Sequence, residues 1–219
     1  RQTARADATG LFRLTFAPRA ASSEPLELTL SDSTGRTVLS DLLVGEVWLC
    51  SGQSNMELPV ARALNTANEL RMAADPQMRL LKVPQSTAAA EQSVFGVPVE
   101  WQEAEASSVE TFSAACFYMG KRLRADLGVP IGLIHANWGG SADSAWMSPQ
   151  SVVALHGEEA ASLLKLYDRD PLAAARAFAP HWQDWWRAGD EGTEPWANSA
   201  SLAWQKIPQF SFWNEWKGT

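Results

Sequence analysis

The sequence predicts an α/β protein, a three-layer α/β/α arrangement around a parallel sheet, preceded by part of a β-sandwich. Three observations carry that expectation. Val47-Trp48-Leu49-Cys50 and Ile131-Gly132-Leu133-Ile134-His135-Ala136 are unbroken apolar runs, which suits strands covered on both faces. Between them Phe112, Cys116, Met119, Leu123 and Leu127 recur at spacings of three and four, which sets them on one face of a helix. Strand, helix, strand is the crossover order of a parallel sheet with helices packed on it.

Composition bounds the rest. A chain of 219 residues, 46% of them hydrophobic, can bury a real core and holds one large domain or one plus part of another. Its formal net charge of -7 and its lack of clustered Lys and Arg disfavour a polyanion-binding role, so nucleic acid is not an expected partner. No apolar stretch nears the ~20 residues a membrane span requires, so no membrane partner is expected either. No motif requires a cofactor or a metal. The 11 tryptophans crowd towards the last third, where they serve either as core or as a stacking surface for sugar rings. Cys50 and Cys116, the only cysteines, lie in apolar surroundings and are expected to be two buried free thiols.

Taken in order, residues 1–44 hold two alternating strands, at 11–16 and 26–30, a turn at Ser33-Thr34-Gly35 and a third strand at Thr37-Val38-Leu39. Three short strands leave edges and faces uncovered, so they read as part of a larger β-sandwich. After the apolar run at 47–50, Pro59 can open a helix, and residues 61–74 have helical composition up to Asp75-Pro76. Residues 78–83 read as a second sheet strand stopped by Pro84, and 85–108 are irregular, with Trp101 there for packing. Gly128 is placed to end the helix that begins near Phe112. From 149 to 187 the pattern is helical, with Pro180 marking a kink or a new start.

Chemistry enters where the first strand ends. Residues 45–57 read G-E-V-W-L-C-S-G-Q-S-N-M-E, which places Ser54 at the carboxyl end of a strand, where open parallel sheets bind ligands. Gly52 permits close backbone approach there, and the amides of Gln53 and Asn55 flank the hydroxyl. The same residues also suit an ordinary strand-to-helix turn in which Ser or Asn caps the next helix. The string lacks the second glycine of the G-x-S-x-G elbow, which argues against an ordinary α/β-hydrolase. At the end of the later strand Asn137-Trp138-Gly139-Gly140-Ser141 is followed by Trp146, and paired glycines at that position expose backbone N–H groups. Such donors stabilise the oxyanion of acyl transfer, whereas an isolated glycine pair is also a common tight turn. His135, inside its strand, reads as a hydrogen-bonded core histidine rather than a base.

These two blocks together resemble the sialate O-acetylesterase branch of the SGNH hydrolases. G-Q-S-N-M-E after G-E-V-W-L-C resembles the first block of that family, and G-L-I-H-A-N-W-G-G-S-A-D-S-A-W resembles its glycine block, with Ser141 where Thr is usual. The resemblance implies an SGNH-like fold and a serine esterase that removes O-acetyl groups from carbohydrates, either sialic acid or acetylated polysaccharide. Ser54 is then the nucleophile, with Gly140, Gly139 and Gln53 at the oxyanion and substrate. Family likeness further implies a secreted or periplasmic protein.

Two departures bear on completeness. The D-x-x-H block that supplies the family's base is not found, because Val153 and Phe178 stand three positions before His156 and His181. Asp143 and Asp184 could pair with a histidine in space, but nothing in the sequence selects them. The Q-G-E-S-N block is also missing. The expectation is therefore a fragment: a partial β-sandwich at 1–44, the N-terminal part of an SGNH-like esterase domain at 45–195, and a linker at 196–219 towards an inserted β-domain. Its catalytic His and Asp would come from the remainder of the same protein, on this or a second polypeptide, with acetylated carbohydrate as the other partner. The alternative is a non-catalytic carbohydrate-binding or scaffold subunit with a degenerate serine site.

Overall fold

In a computed structural model the sheet that carries Ser54 is built from strands far apart in sequence. The structure describes residues 2–189, together with 196, 199–201, 203 and 206. They fall into two compact units, Arg1–Met147 and Ser148–Thr219. Residues 207–219, read above as part of a linker, lie outside the described residues.

The first unit opens with an antiparallel pair, β1 (Ser22–Ser31) and β2 (Arg36–Val44). Their turn forms because the Asp32 carboxylate accepts the N–H groups of Thr34 at 2.7 Å and Gly35 at 2.9 Å. Leu26, Leu28 and Leu30 alternate inward, as the sequence pattern requires. Residues 11–16 do not form the expected first strand; Leu11, Phe12 and Phe16 are exposed. Alternation specifies a face but not a partner, and no described strand pairs with them.

The central sheet comprises β3 (Glu46–Gly52), β4 (Asp75–Lys82), β5 (Gln102–Ala104) and β6 (Ile131–Asn137), in the order β3-β6-β4-β5. Strands β3, β6 and β4 are parallel, and β5 closes the far edge antiparallel to β4, so the sheet is mixed rather than purely parallel. That edge strand and the short helix after it fall in the segment expected to be irregular, where three residues give too short a pattern to read. Register puts Cys50 beside His135, and His135 beside Lys82. Because neighbours in register share a face, Met78, Leu80, Ile131, Leu133 and Cys50 all turn towards one layer, and all are buried. Burial of each larger apolar side chain there contributes about 1.5–3 kcal/mol.

Helix α1 is the single turn Ser54–Glu57, and α2 is Thr66–Arg71. The long helix expected over 61–74 is thus shorter: a 3-10 turn at Val60–Arg62 comes first, and Asn65, at φ 63°, breaks the run. Helix α3 is Ala106–Glu110, and α4 is Ala114–Leu127. Ser113 caps α4 by accepting the N–H of Cys116 at 3.2 Å, and Gly128 ends it as expected. Phe112, Cys116 and Phe117 pack into the core formed by β4 and β6. The fold is of the expected SGNH-like α/β/α class, but β3, expected to be covered on both faces, leaves Val47 and Leu49 61% and 65% exposed.

The cysteine expectation is overturned. Cys50 on β3 and Cys116 on α4 form a disulfide across a Cα–Cα distance of 5.9 Å. Strand and helix were expected to be too stiff to meet, but the first turn of α4 lies directly on β3, within the usual bridging range.

The second unit contains α5 (Pro149–Arg169) and α6 (Pro171–Gly189). Helix α6 runs through Pro180, and the breaks fall instead at Asp170 and at Gly157, whose φ is 83°. His181 lies 3.4 Å from the Glu159 carboxylate, and Trp182 and Trp185 meet edge to face. No described helix is long and apolar enough to cross a membrane.

Candidate active site

Strand β3 ends at Gly52, and the chain turns at once into α1, so Ser54 opens that helix at the carboxyl edge of the sheet. Gln53 is the capping residue. Its side-chain oxygen accepts the Ser54 N–H at 2.9 Å and the Ser54 hydroxyl at 2.8 Å. From the end of β6 the Gly140 N–H points to that same oxygen at 3.4 Å. Three donors from two strand ends therefore converge on one carbonyl oxygen. Gln53, Ser54 and Gly140, which the family resemblance sets together, are brought together, whereas Gly139, set with them, donates its N–H to Glu57.

The glycine loop owes its course to its own residues. Trp138 donates its N–H to the Gly52 carbonyl at 3.0 Å, which continues the β3–β6 pairing beyond the strand. The Ser141 hydroxyl donates to the Trp138 carbonyl at 2.7 Å and accepts the Trp146 indole N–H at 2.8 Å, so a hydroxyl at this position closes the turn. Gly140 has φ 78°, a region glycine enters freely and other residues avoid. Gly139 is needed for a different reason: a Cβ there would stand 2.5 Å from the Glu57 carboxylate and 3.5 Å from the Ser54 Cα. The Gly139 N–H donates to that carboxylate.

Beside the serine lies a cavity of about 960 Å³ whose walls include Ser54, Glu57, Lys82, Gln85, His135 and Asn137. Its volume is that of a small-molecule site. The Gly139 N–H and then the Gln85 amide hold the Glu57 carboxyl below the usual carboxylate range, with Lys82 and His135 adding to the effect. His135 is 3% exposed, and its Nδ1 accepts the Ser113 N–H at 3.1 Å, so the neutral ring carries its proton on Nε2. Burial, and then the nearby Lys82 charge, lower its basicity, against the opposing pull of Asn137 and Glu57. It is a core histidine, as expected, but one that also walls the cavity. Among the described residues no three His, Cys, Asp or Glu side chains gather into a cluster that could hold a metal.

Sequence reasoning passed over Glu57 and Gln85. Glu57 stood in the quoted string without a role, and Gln85 lay in a segment read as carrying no chemistry. The rule that located Ser54 could have found Gln85, since it too follows the carboxyl end of a parallel strand.

No family model matches the chain. A sialate O-acetylesterase from Pongo abelii is 37% identical over 121 residues, which is 52% of this chain and 23% of that protein. The human sialate O-acetylesterase matches at the same 37% identity with the same coverage, and the mouse one at 34%. A crystal structure of a carbohydrate acetylesterase from Xanthomonas citri aligns with a TM-score of 0.63 and 38% identity, covering 67% of this chain and 33% of that one. The chain is similar to sialate O-acetylesterases. It spans about 23% of the length of the curated relatives it matches. The resemblance carried by the serine and glycine blocks is thus shared by whole stretches of sequence and by the fold.

Proposed function

We propose that this chain carries the nucleophile-bearing part of a serine esterase that removes O-acetyl groups from carbohydrates. One observation carries the reading: the Ser54 N–H, the Gly140 N–H and the Ser54 hydroxyl all meet at the Gln53 side-chain oxygen. That amide carbonyl stands in for the carbonyl oxygen of an ester. When substrate replaces it, the two N–H groups bind the oxygen on which negative charge develops, and each such donor is typically worth about 3 kcal/mol of barrier. Ser54 Oγ then bonds to the acetyl carbon, its proton passes to a base, and the sugar hydroxyl leaves as the acetyl-enzyme forms. Water returns the serine and releases acetate.

The base is a separate matter. His135 has its Nδ1 engaged by Ser113 and its Nε2 protonated, so it cannot take the serine proton. The reading assigns the catalytic His and its Asp to the remainder of the same protein. Names of the relatives support acetylated sugars as substrates, with sialic acid and acetylated polysaccharide as the two candidates. The Cys50–Cys116 bridge supports an oxidising compartment, secreted or periplasmic.

The test uses the full-length protein. Acetate release from acetylated sialic acids and acetyl-xylan should vanish in Ser54→Ala, and a fluorophosphonate should label Ser54 in the wild type. Retained hydrolysis in Ser54→Ala refutes the nucleophile. Sugar binding with neither turnover nor labelling would favour the non-catalytic carbohydrate-binding subunit.

A further inference from the structure

The glycine loop and the nucleophile belong to different strand ends, and beyond the backbone bond from Trp138 to Gly52 side chains fix one against the other. Glu57 sits on the same helical turn as Ser54 and uses both carboxylate oxygens for contacts outside that turn. One accepts the Gly139 N–H, next to the proposed oxyanion donor. The other accepts the Gln85 side-chain amide at 2.7 Å, and that amide also reaches the Asn137 carbonyl at 3.4 Å. Asn137 in turn donates its side-chain amide to the Met56 carbonyl at 3.0 Å. A single carboxylate thus ties together the segments that follow β3, β4 and β6. The close approach of Gly139 to Glu57 and to Ser54 shows that the loop is seated on this turn with no room for a side chain.

We propose that Glu57, braced by Gln85, is a positioning residue for the oxyanion site: it seats the Gly139-Gly140 loop so that the Gly140 N–H and the Ser54 N–H face one oxygen. This rests on the reading of Ser54 as nucleophile. The carboxylate touches neither the serine hydroxyl nor the oxygen that the donors share, so its effect passes through the loop. A charged acceptor serves better than a neutral one because a charge-assisted hydrogen bond is roughly twice as strong, and the Gly140 donor, already at 3.4 Å, has little slack to lose. Loosening the loop therefore weakens binding of the tetrahedral intermediate more than binding of the ground-state ester, which lowers kcat rather than raising KM.

In the full-length protein, Glu57→Gln keeps the shape and an acceptor oxygen but loses the charge. It should lower kcat on 4-nitrophenyl acetate by about tenfold while KM stays within about threefold, since misplacement by about 1 Å can reduce rate by about 100-fold. Gln85→Ala, which frees one carboxylate oxygen, should lower kcat by about threefold and serves if Glu57→Gln does not fold. Thermal unfolding of each variant separates a fold defect from a site defect. A folded Glu57→Gln with wild-type kcat, or a loss confined to KM, overturns the proposal, as does wild-type kcat in Gln85→Ala when that variant has to serve. Ser54→Ala, run alongside, tells the two ideas apart. If it is inert while Glu57→Gln runs at the wild-type rate, the clamp alone is wrong; if it is active, the nucleophile assignment and the clamp fail together.

Discussion

Reduction of the Cys50–Cys116 bridge gives the largest stability change that can be worked from the fold. The bond closes a loop of 66 residues. Chain entropy removed from the unfolded state by a loop of that length is worth about 4 kcal/mol at 25 °C. Both cysteines are buried, at 4% and 1% exposure, so the reduced thiols stay in the core and the folded contacts change little. With a urea slope of about 2 kcal/mol per molar, the unfolding midpoint should fall by about 2 M on reduction. The assay is urea unfolding of the full-length protein followed by tryptophan fluorescence, with and without reductant. Cys50→Ala/Cys116→Ala should shift in the same direction and no longer respond to reductant. An unchanged midpoint on reduction, or two alkylatable thiols in unreduced denatured protein, refutes the reasoning.

Two other perturbations test the frame around the site. A Cβ at Gly45 would run into the backbone carbonyl of Pro130, the group that accepts the Glu46 N–H at 3.0 Å. Gly45→Ala should therefore destabilise by about 3 kcal/mol, the upper range of overpacking, and an unaltered melting temperature would contradict it. His135 is held below its ordinary value of 6.5 by burial and Lys82, with Glu57 the nearby opposing charge. The unfolded state then binds the extra proton first, so stability should be full above pH 6.5 and fall as the pH drops below it. His135→Asn, which offers Ser113 an acceptor without a titrating ring, should flatten that slope in equilibrium unfolding between neutral and mildly acidic pH; an unchanged slope counts against it.

How far the sequence could be read depended on whether a feature is local. The strands at β3 and β6, the helix α4 and its Gly128 stop are written in consecutive residues, and so is the Ser54 turn. Each block carries its own pattern at a strand end, and the convergence of Ser54 and Gly140 was legible through the family resemblance that joins the two. Glu57, Gln85 and the disulfide were not legible, since each depends on how closely two distant segments approach. Leu11 to Phe16 shows the opposite failure, where a clear alternation found no strand to pair with. Helix composition over 61–74 was likewise outweighed by the left-handed Asn65, because propensity is a weak prior against tertiary context.

The strand order β3-β6-β4 has a consequence for how the chain assembles as it is made. Strand β6 is synthesised after both of its neighbours, yet it lies between them, so β3 and β4 must leave a gap for it. Cys116 follows Cys50 by 66 residues, about 3–13 s of synthesis at ~5–20 residues per second, and both precede β6. The bond fastens the first turn of α4 to β3, and three residues, Gly128 to Pro130, join α4 to β6. Helix α4 is thus held to one rim of the gap through Cys116 and joined, through Gly128 and the Val129-Pro130 turn, to the strand that fills it.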